Sequence, residues 1–422
     1  MIVLKSRRFG LLWCSSLLSN LGNWLMIVAV PVYVYTMTGS TVSSGLAFVA
    51  QTLPAIVFAP VAGVLVDRWD RRSIMISADM LRMVVVLALI LVNHPGMLWL
   101  LYLAMFCESA IGHFFQPAAR AVVPALVGRG KDLEAANSWT NVASGIVRLA
   151  GAPVGGALYM LVGFDGLVLI DSATYLASAI LIFGMGRMPV EQSQERPTSH
   201  SGLAGLWLQA REGVTHLFGH PVLRATLTVS GLFLLANAAL NVLLVPYVIS
   251  VLGGDASDVG ILMAALGGGF LLSAIAGNHL SRSGRLRLSF TGSLLAITLC
   301  FAGLFLVPYF AAALAFIALA GLPGGALLML VQVQVQRQTP DHQLGRVSSA
   351  FSAVEMAATV VGGVVGSVAG QQLSLTLTVW LVIAVLAITA AVAALLLPSQ
   401  VATGELEPTA QQPPGVGASR GR

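Results

Sequence analysis

Six ionisable residues stand inside long apolar runs: Asp79, Arg82, Glu108, Arg148, Asp171 and Glu355. A charge in a low-dielectric interior is costly unless it is paired. A carboxyl held there favours its neutral form and can exchange a proton near neutral pH. Glu108 falls about 11 residues from one end of its run, and Arg148 about 10 from the start of the next, so on antiparallel helices both lie about 15 Å deep. This spacing predicts an ion pair between Glu108 and Arg148, with Glu355, at similar depth in its own run, competing for the proton-exchanging role. Asp79 and Arg82, three apart on one helix face, read as a local structural pair. Asp171 sits about a turn from the end of its run and is expected to be wet and structural.

The elements that must hold these groups are set by composition. Of 422 residues, 57% are hydrophobic and 9% charged, against roughly 25% charged in soluble domains. Lipid is the solvent such a surface fits. A crossing helix needs about 20 mostly apolar residues, and the chain supplies twelve such stretches: Phe9–Tyr35, Val42–Val66, Ser73–Val92, Met97–Phe115, Ser138–Val162, Leu167–Met185, Ala225–Ile249, Val259–Leu280, Leu288–Val307, Ala311–Val335, Val347–Gly370 and Leu373–Leu397. All should be helices, because lipid cannot satisfy an open sheet edge. The fold class is therefore all-α integral membrane with twelve spans.

The basic residues outside the spans fall on one side of this layout. Lys5, Arg7 and Arg8, then Arg68, Arg71 and Arg72, then Arg120, Arg129 and Lys131, and the later clusters, occupy alternate loops, while "MTGST", "NHPGM" and "GGDASD" contain none. By the positive-inside rule both termini are cytoplasmic, in the cell (inner) membrane. The net charge of +5 is thus topology, spread over short loops and not gathered into a nucleic-acid patch. Residues 1–186 and 225–397 form two six-span halves. Residues 187–224 are a polar linker ending in an amphipathic helix on the membrane surface, and residues 398–422 a Gly/Pro/Gln-rich disordered tail. The two lysines, Lys5 and Lys131, lie outside any Gly-rich phosphate loop, so an ATP-driven pump is not indicated. No nucleophile–base or metal-ligand spacing marks an enzyme, and no cofactor, metal or second chain is called for.

A knot of charge interrupts the apolar pattern after the second span: "GVLVDRWDRR", Gly63 to Arg72. It has an echo, "GNHLSRSGR" from Gly277, after the second span of the other half. Duplicated six-span units surrounding a midplane site are a transporter architecture. Gly63, Leu65, Asp67, Arg68, Arg71 and Arg72 match the signature loop that resembles the major facilitator superfamily. Asp70 stands where a glycine is usual, a substitution familiar in a drug-exporter branch that includes macrolide and siderophore exporters. "FFQPAARAVVPALV" at Phe114–Val127, "EAANSW" at Glu134–Trp139 and "TPDHQLGRVSSAF" at Thr339–Phe351 also resemble that branch.

The resemblance implies two pseudo-symmetric halves around a cavity lined by spans one, four, seven and ten. Asn20, Asn23 and Trp24 of span one, and Asn237 and Asn241 of span seven, would then face a small-molecule substrate. Related exporters often carry an acidic residue near position 23, and here it is Asn23. Gln332, Gln334 and Gln336 alternate near the end of span ten, which argues against a single binding surface there. Gly151, Gly155 and Gly156 of "GAPVGG" in span five resemble an antiporter signature with its proline displaced to Pro153; with Gly362 and Gly366 in span eleven they also suit close helix packing. Asp67, with Arg346 near the start of span eleven, would latch the cytoplasmic side in one of two states. The resemblance implies export of a small amphipathic compound driven by protons. Alternatives are an importer or facilitator of the same fold, or a membrane sensor that transports nothing.

Overall fold

The computed structural model describes residues 6–66, 69–128, 130–186, 215, 217–282 and 285–399. Within them the chain is a bundle of long helices: α1 (Arg7–Thr38), α2 (Thr41–Val66), α3 (Arg71–Leu87) and α4 (Leu98–Val127). A single hydrogen-bonded run, Lys131–Gly184, follows. Its 54 residues would reach about 81 Å if straight, against a hydrocarbon core of about 30 Å. Gly163 divides it, at φ 72° and ψ −176°, a conformation that carries no Cβ penalty only in glycine. The run is therefore two spans, α5 (131–162) and α6 (164–184). The second half comprises α7 (Pro221–Ser250), α8 (Ala256–Arg282), α9 (Leu286–Leu306), α10 (Phe310–Gln338), α11 (Asp341–Gln372) and α12 (Leu375–Leu396).

All twelve expected spans are present, several longer than their apolar stretch. α7 begins at Pro221, inside the segment read as linker, with proline at the first helical position, where its missing N–H costs nothing. α11 begins at Asp341 rather than Val347. These extra turns are polar helix ends projecting beyond the apolar layer. Large aliphatics such as Leu161, Leu299 and Leu395 point outward and are highly exposed, as a lipid-facing surface requires. Most of the linker and tail lies outside the described residues.

The two halves repeat one packing scheme. α1 packs on α5 and α6, and α3 on α4 and α6; α7 packs on α11 and α12, and α9 on α10 and α12. A pair of arginines fixes the register of the repeat. Arg72, second residue of α3, donates from Nε to Ile182 O at 3.2 Å and from Nη2 to Phe183 O at 2.7 Å. Arg287, second residue of α9, donates from Nε to Leu397 O at 2.8 Å. Each cation satisfies carbonyls at a helix C-terminus, where the dipole favours it. Donor and acceptor are both displaced by 215 residues between the halves (72 to 287, 182 to 397), one more than the glycine-to-glycine echo in the sequence.

Across the halves α2 packs on α11 and α5 on α8. A Cβ at Gly156 would stand 2.3 Å from Ala256 O, and one at Gly260 2.6 Å from Ala152 O, so only glycine permits this approach. Within the halves Gly155 meets the backbone of Leu25, Gly151 the Cβ of Trp24, Gly362 the carbonyl of Leu235, and Gly366 the Cα of Ala239. Three described hydrogen bonds join the halves on the face opposite the termini. Tyr35 Oη and Ser250 Oγ are 2.7 Å apart, Thr41 N donates to Gln371 Oε1 at 2.9 Å, and Thr41 Oγ1 donates to Ser367 O at 2.9 Å.

Candidate functional site

The charged groups of the first half converge on one guanidinium. Arg82 sits on α3, about 16 Å along the helix from Arg71 and so near mid-depth. It is buried and lies against Gly112 of α4 and over the ring of Tyr175 of α6, 4.2 Å from its centroid. Its Nε donates to Glu108 Oε1 at 3.0 Å and its Nη2 makes a second, closer contact with the same oxygen. Nη1 donates to Ser19 Oγ at 3.0 Å and Nη2 to Asn23 Oδ1 at 2.6 Å. Tyr175 Oη stands 2.5 Å from Asn23 Oδ1 and 3.0 Å from Glu108 Oε1. Asp79, one turn before Arg82, accepts from Ser178 Oγ at 2.5 Å through Oδ2, and its Oδ1 lies 3.9 Å from Arg82 Nη1. Asp79, Glu108, Asp171, Tyr175 and Ser178 are all buried. Charge-assisted hydrogen bonds of this kind compensate the loss of water around each ion.

Several expectations change here. The described partner of Glu108 is Arg82; the side chain of Arg148 lies outside the described residues. Helices α4 and α5 are consecutive, but α5 is drawn onto α1 and α8, and it is α3 that packs on α4. Arg82 is consequently more than half of a local pair with Asp79. Asn23 was expected with Asn20 on a cavity wall, yet its amide oxygen belongs to the ionic cluster. Asp171, expected wet, is 1% exposed. The chain turns at Gly163, not beside Leu167, which places Asp171 about 10 Å inside α6. Ser19, Tyr175 and Ser178 were missed. Their signal was legible as polar stripes at helical spacing: Ser15, Ser19 and Asn23 on α1, and Asp171, Tyr175 and Ser178 on α6.

The remaining candidates lie elsewhere. Asn20 Oδ1 is 3.5 Å from Gln116 Nε2 of α4. Asn241 donates to Asn237 O and Oδ1, each at 3.0 Å, so these two form a local pair on α7. In the second half a cavity of about 290 Å³ between α10 and α11 is lined by Gln332, Gln336, Ser348, Phe351, Ser352 and Glu355. Gln332 and Gln336 share a helix face because they are four apart, a correction to the reading of scattered glutamines; Gln334 alone points away and is buried. Among the described residues Glu355 Oε1 has no hydrogen-bond partner. In the charged knot, Asp70 caps α3, accepting from Ser73 N at 2.9 Å and Ser73 Oγ at 2.6 Å. That local duty accounts for an aspartate where glycine is usual. The Ser73 hydroxyl and N–H hold its carboxyl below the ordinary range. Asp67 and Arg68 lie outside the described residues, so the expected Asp67–Arg346 contact has no described geometry.

Projected by 215 residues, the positions of Asp79, Arg82, Asp171, Tyr175 and Ser178 fall on Leu294, Ile297, Leu386, Ala390 and Ala393. All five are buried in the apolar core of the second half. One architecture thus holds an ionic cluster in one copy and aliphatic packing in the other.

Two six-helix halves meeting along α2–α11 and α5–α8 define a membrane transporter of the major facilitator fold. The chain belongs to the transmembrane secretion effector family, which it matches over residues 2–416. It is 26% identical over 370 residues to the uncharacterized MFS-type transporter YfiS of Bacillus subtilis, covering 83% of this chain and 84% of the relative. It is 28% identical over 347 residues to the enterobactin exporter EntS of Shigella boydii, covering 80% and 79%. Among solved structures it resembles a bacterial homologue of the iron transporter ferroportin in its inward-facing state, with a TM-score of 0.73, 15% identity and coverage of 92% and 98%. It also resembles the nucleoside transporter NupG, at 0.70, 14%, 92% and 97%.

Proposed function

We propose that this chain is a proton-coupled exporter of small amphipathic compounds, in which the Arg82–Glu108 pair carries the coupling. The observation that supports this is internal to the molecule. Replacing buried ion pairs by well-packed apolar residues is often neutral or stabilising, and the second half does so at the matching positions. Architecture therefore does not require the ions in the first half, and their retention near mid-depth is the mark of a functional group.

The mechanism follows from the state described. With Glu108 ionised against Arg82, the halves are pinned at the face opposite the termini. By the positive-inside reading that face is external, so this state offers its cavity to the cytoplasm with the coupling carboxyl deprotonated. Substrate enters among Asn20, Gln116, Asn237 and Asn241. Return from the outward-open state follows protonation of Glu108, which removes the anion from Arg82 and alters the packing of α1, α3 and α4. A ligand or proton shifts such an equilibrium only by its differential affinity for the two states. Glu355 is the second candidate carrier, and Asp67 with Arg346 a latch on the cytoplasmic side. The division at residues 186 and 225 makes the halves the moving bodies. Kinship to an enterobactin exporter supports outward transport and a siderophore-like or drug-like cargo.

The test is reconstitution. Proteoliposomes with a trapped pH-sensitive dye, challenged with a panel of cationic dyes, macrolides and a catecholate siderophore, should show cargo-dependent proton movement opposite to cargo. Cargo flux with no proton movement in any member of the panel would mean a facilitator.

A further inference from the structure

The ionic cluster contains three buried carboxyls, Asp79, Glu108 and Asp171, and among the described residues a single guanidinium. Against the described guanidinium alone, full ionisation would leave two uncompensated negative charges in a low-dielectric core, which favours protons held within the cluster. Geometry distinguishes the three. Glu108 is bound by Arg82 through two donors. Asp79 lies within salt-bridge distance of Arg82 and takes the Ser178 hydroxyl, though its buried Oδ1 receives no hydrogen bond. Asp171 has neither aid. No described cation lies within salt-bridge distance of it, and the side-chain donor to it is Thr174 Oγ1, one turn on, at 3.4 Å. Its Oδ1 presses on α1 at Gly22, where a Cβ would stand only 2.0 Å away. Glu108 on α4, Arg82 on α3 and Tyr175 on α6 are near enough to act on it electrostatically; Ser19 and Asn23 on α1, Asp79 on α3 and the half-buried His113 on α4 belong to the same cluster through Arg82 and Glu108.

From this geometry we infer that Asp171 is a second proton-binding site, and that it and Glu108 share one proton between them, with Arg82 pairing whichever carboxylate is ionised. In the state described, Asp171 is the acid and Glu108 the anion. In the alternative state the O–H bond at Asp171 is broken, one forms at Glu108, and the guanidinium turns from α4 to α6. Total charge is unchanged, so the exchange needs no ion to enter or leave the core. Two interacting sites of this kind titrate as a pair. Depth gives the arrangement a direction. Asp171 lies about 10 Å and Glu108 about 15 Å from the helix ends on the face opposite the termini, so a proton arriving from that face meets Asp171 first. The inference rests on the proposed coupling role of Arg82–Glu108.

The test is infrared spectroscopy of the full-length protein in lipid nanodiscs at neutral pH, reading the C=O stretch of protonated carboxyls. The wild type should show a buried carboxylic-acid component, beyond any that Asp79 or Glu355 contributes, that disappears in Asp171→Asn. It should also disappear in Glu108→Gln, because Arg82 is then released to pair with Asp171. A band that survives Asp171→Asn assigns the proton elsewhere. A band that survives Glu108→Gln makes Asp171 a fixed neutral acid and overturns the exchange. If Asp171→Asn fails to fold, Asp171→Glu should retain the band at a shifted frequency, and the Glu108→Gln spectrum still decides. These spectra need no cargo. Proton-independent transport with the expected spectra would therefore sink the coupling proposal and leave the shared proton standing.

Discussion

The first and second halves of this protein share helix order, packing scheme and even the arginine that closes the last helix of each, yet differ in what fills one region of the core. Where the first half carries Asp79, Arg82, Asp171 and Tyr175, the second carries Leu294, Ile297, Leu386 and Ala390. The helix that starts with Asp70 as a side-chain cap has its counterpart in α9, whose cap residue Arg285 makes no side-chain cap bond. The difference separates two things a buried polar group can do. The arginine caps recur because each half must satisfy carbonyls at a helix end. The ionic cluster does not recur, which supports the proposal that it serves transport rather than folding.

The sharpest way to break this comparison is to remove one ion and then all of them. Arg82→Ala strands buried carboxylates and should destabilise the purified protein by about 3–5 kcal/mol. Replacing Asp79, Arg82, Glu108 and Asp171 together by leucine or isoleucine should restore much of that stability and abolish transport. Thermal unfolding in detergent beside flux in proteoliposomes reads both. If the apolar replacement unfolds as readily as Arg82→Ala, the cluster is structural and the comparison misleads.

A smaller effect is expected where the halves meet. Tyr35→Phe with Thr41→Val deletes side-chain hydrogen bonds worth about 0.5–1.5 kcal/mol each. The population should shift toward states open at the face opposite the termini, which distances between paired spin labels across that face would report. No shift would mean that the bonds form equally in both states. The smallest effect concerns the cap present in one half only. Asp70→Ala should cost about 1 kcal/mol and Asp70→Gly a few tenths. Because the Ser73 hydroxyl holds the Asp70 carboxyl below its ordinary range, the cap's contribution is complete above that range and lost as pH falls through the lowered value. Equal melting temperatures for wild type and Asp70→Ala at neutral pH would contradict the cap.

Much of this was legible in the sequence because lipid imposes strict rules. Span number, shared sidedness of the termini and close-packed glycines at 151, 155, 156, 362 and 366 follow from apolar length, arginine placement and small-residue spacing. The partner of Glu108 was not legible. Adjacent spans in sequence need not pack closely, and here α4 packs far more on α3 than on α5. The depth of Asp171 was misjudged because apolar count put the turn near Leu167, whereas the backbone turns at Gly163. The shared face of Gln332 and Gln336 is hidden in the sequence because the intervening Gln334 disguises their four-residue spacing.

The central claim is that Glu108 is the proton carrier released and held by Arg82. It is tested most directly by Glu108→Gln in vesicles with an imposed pH gradient, using any cargo that the reconstituted wild type moves. The variant should equilibrate cargo downhill but no longer accumulate it against its gradient, and its rate should lose its dependence on the pH difference. Uphill accumulation at the wild-type rate, with unchanged proton dependence, would contradict it.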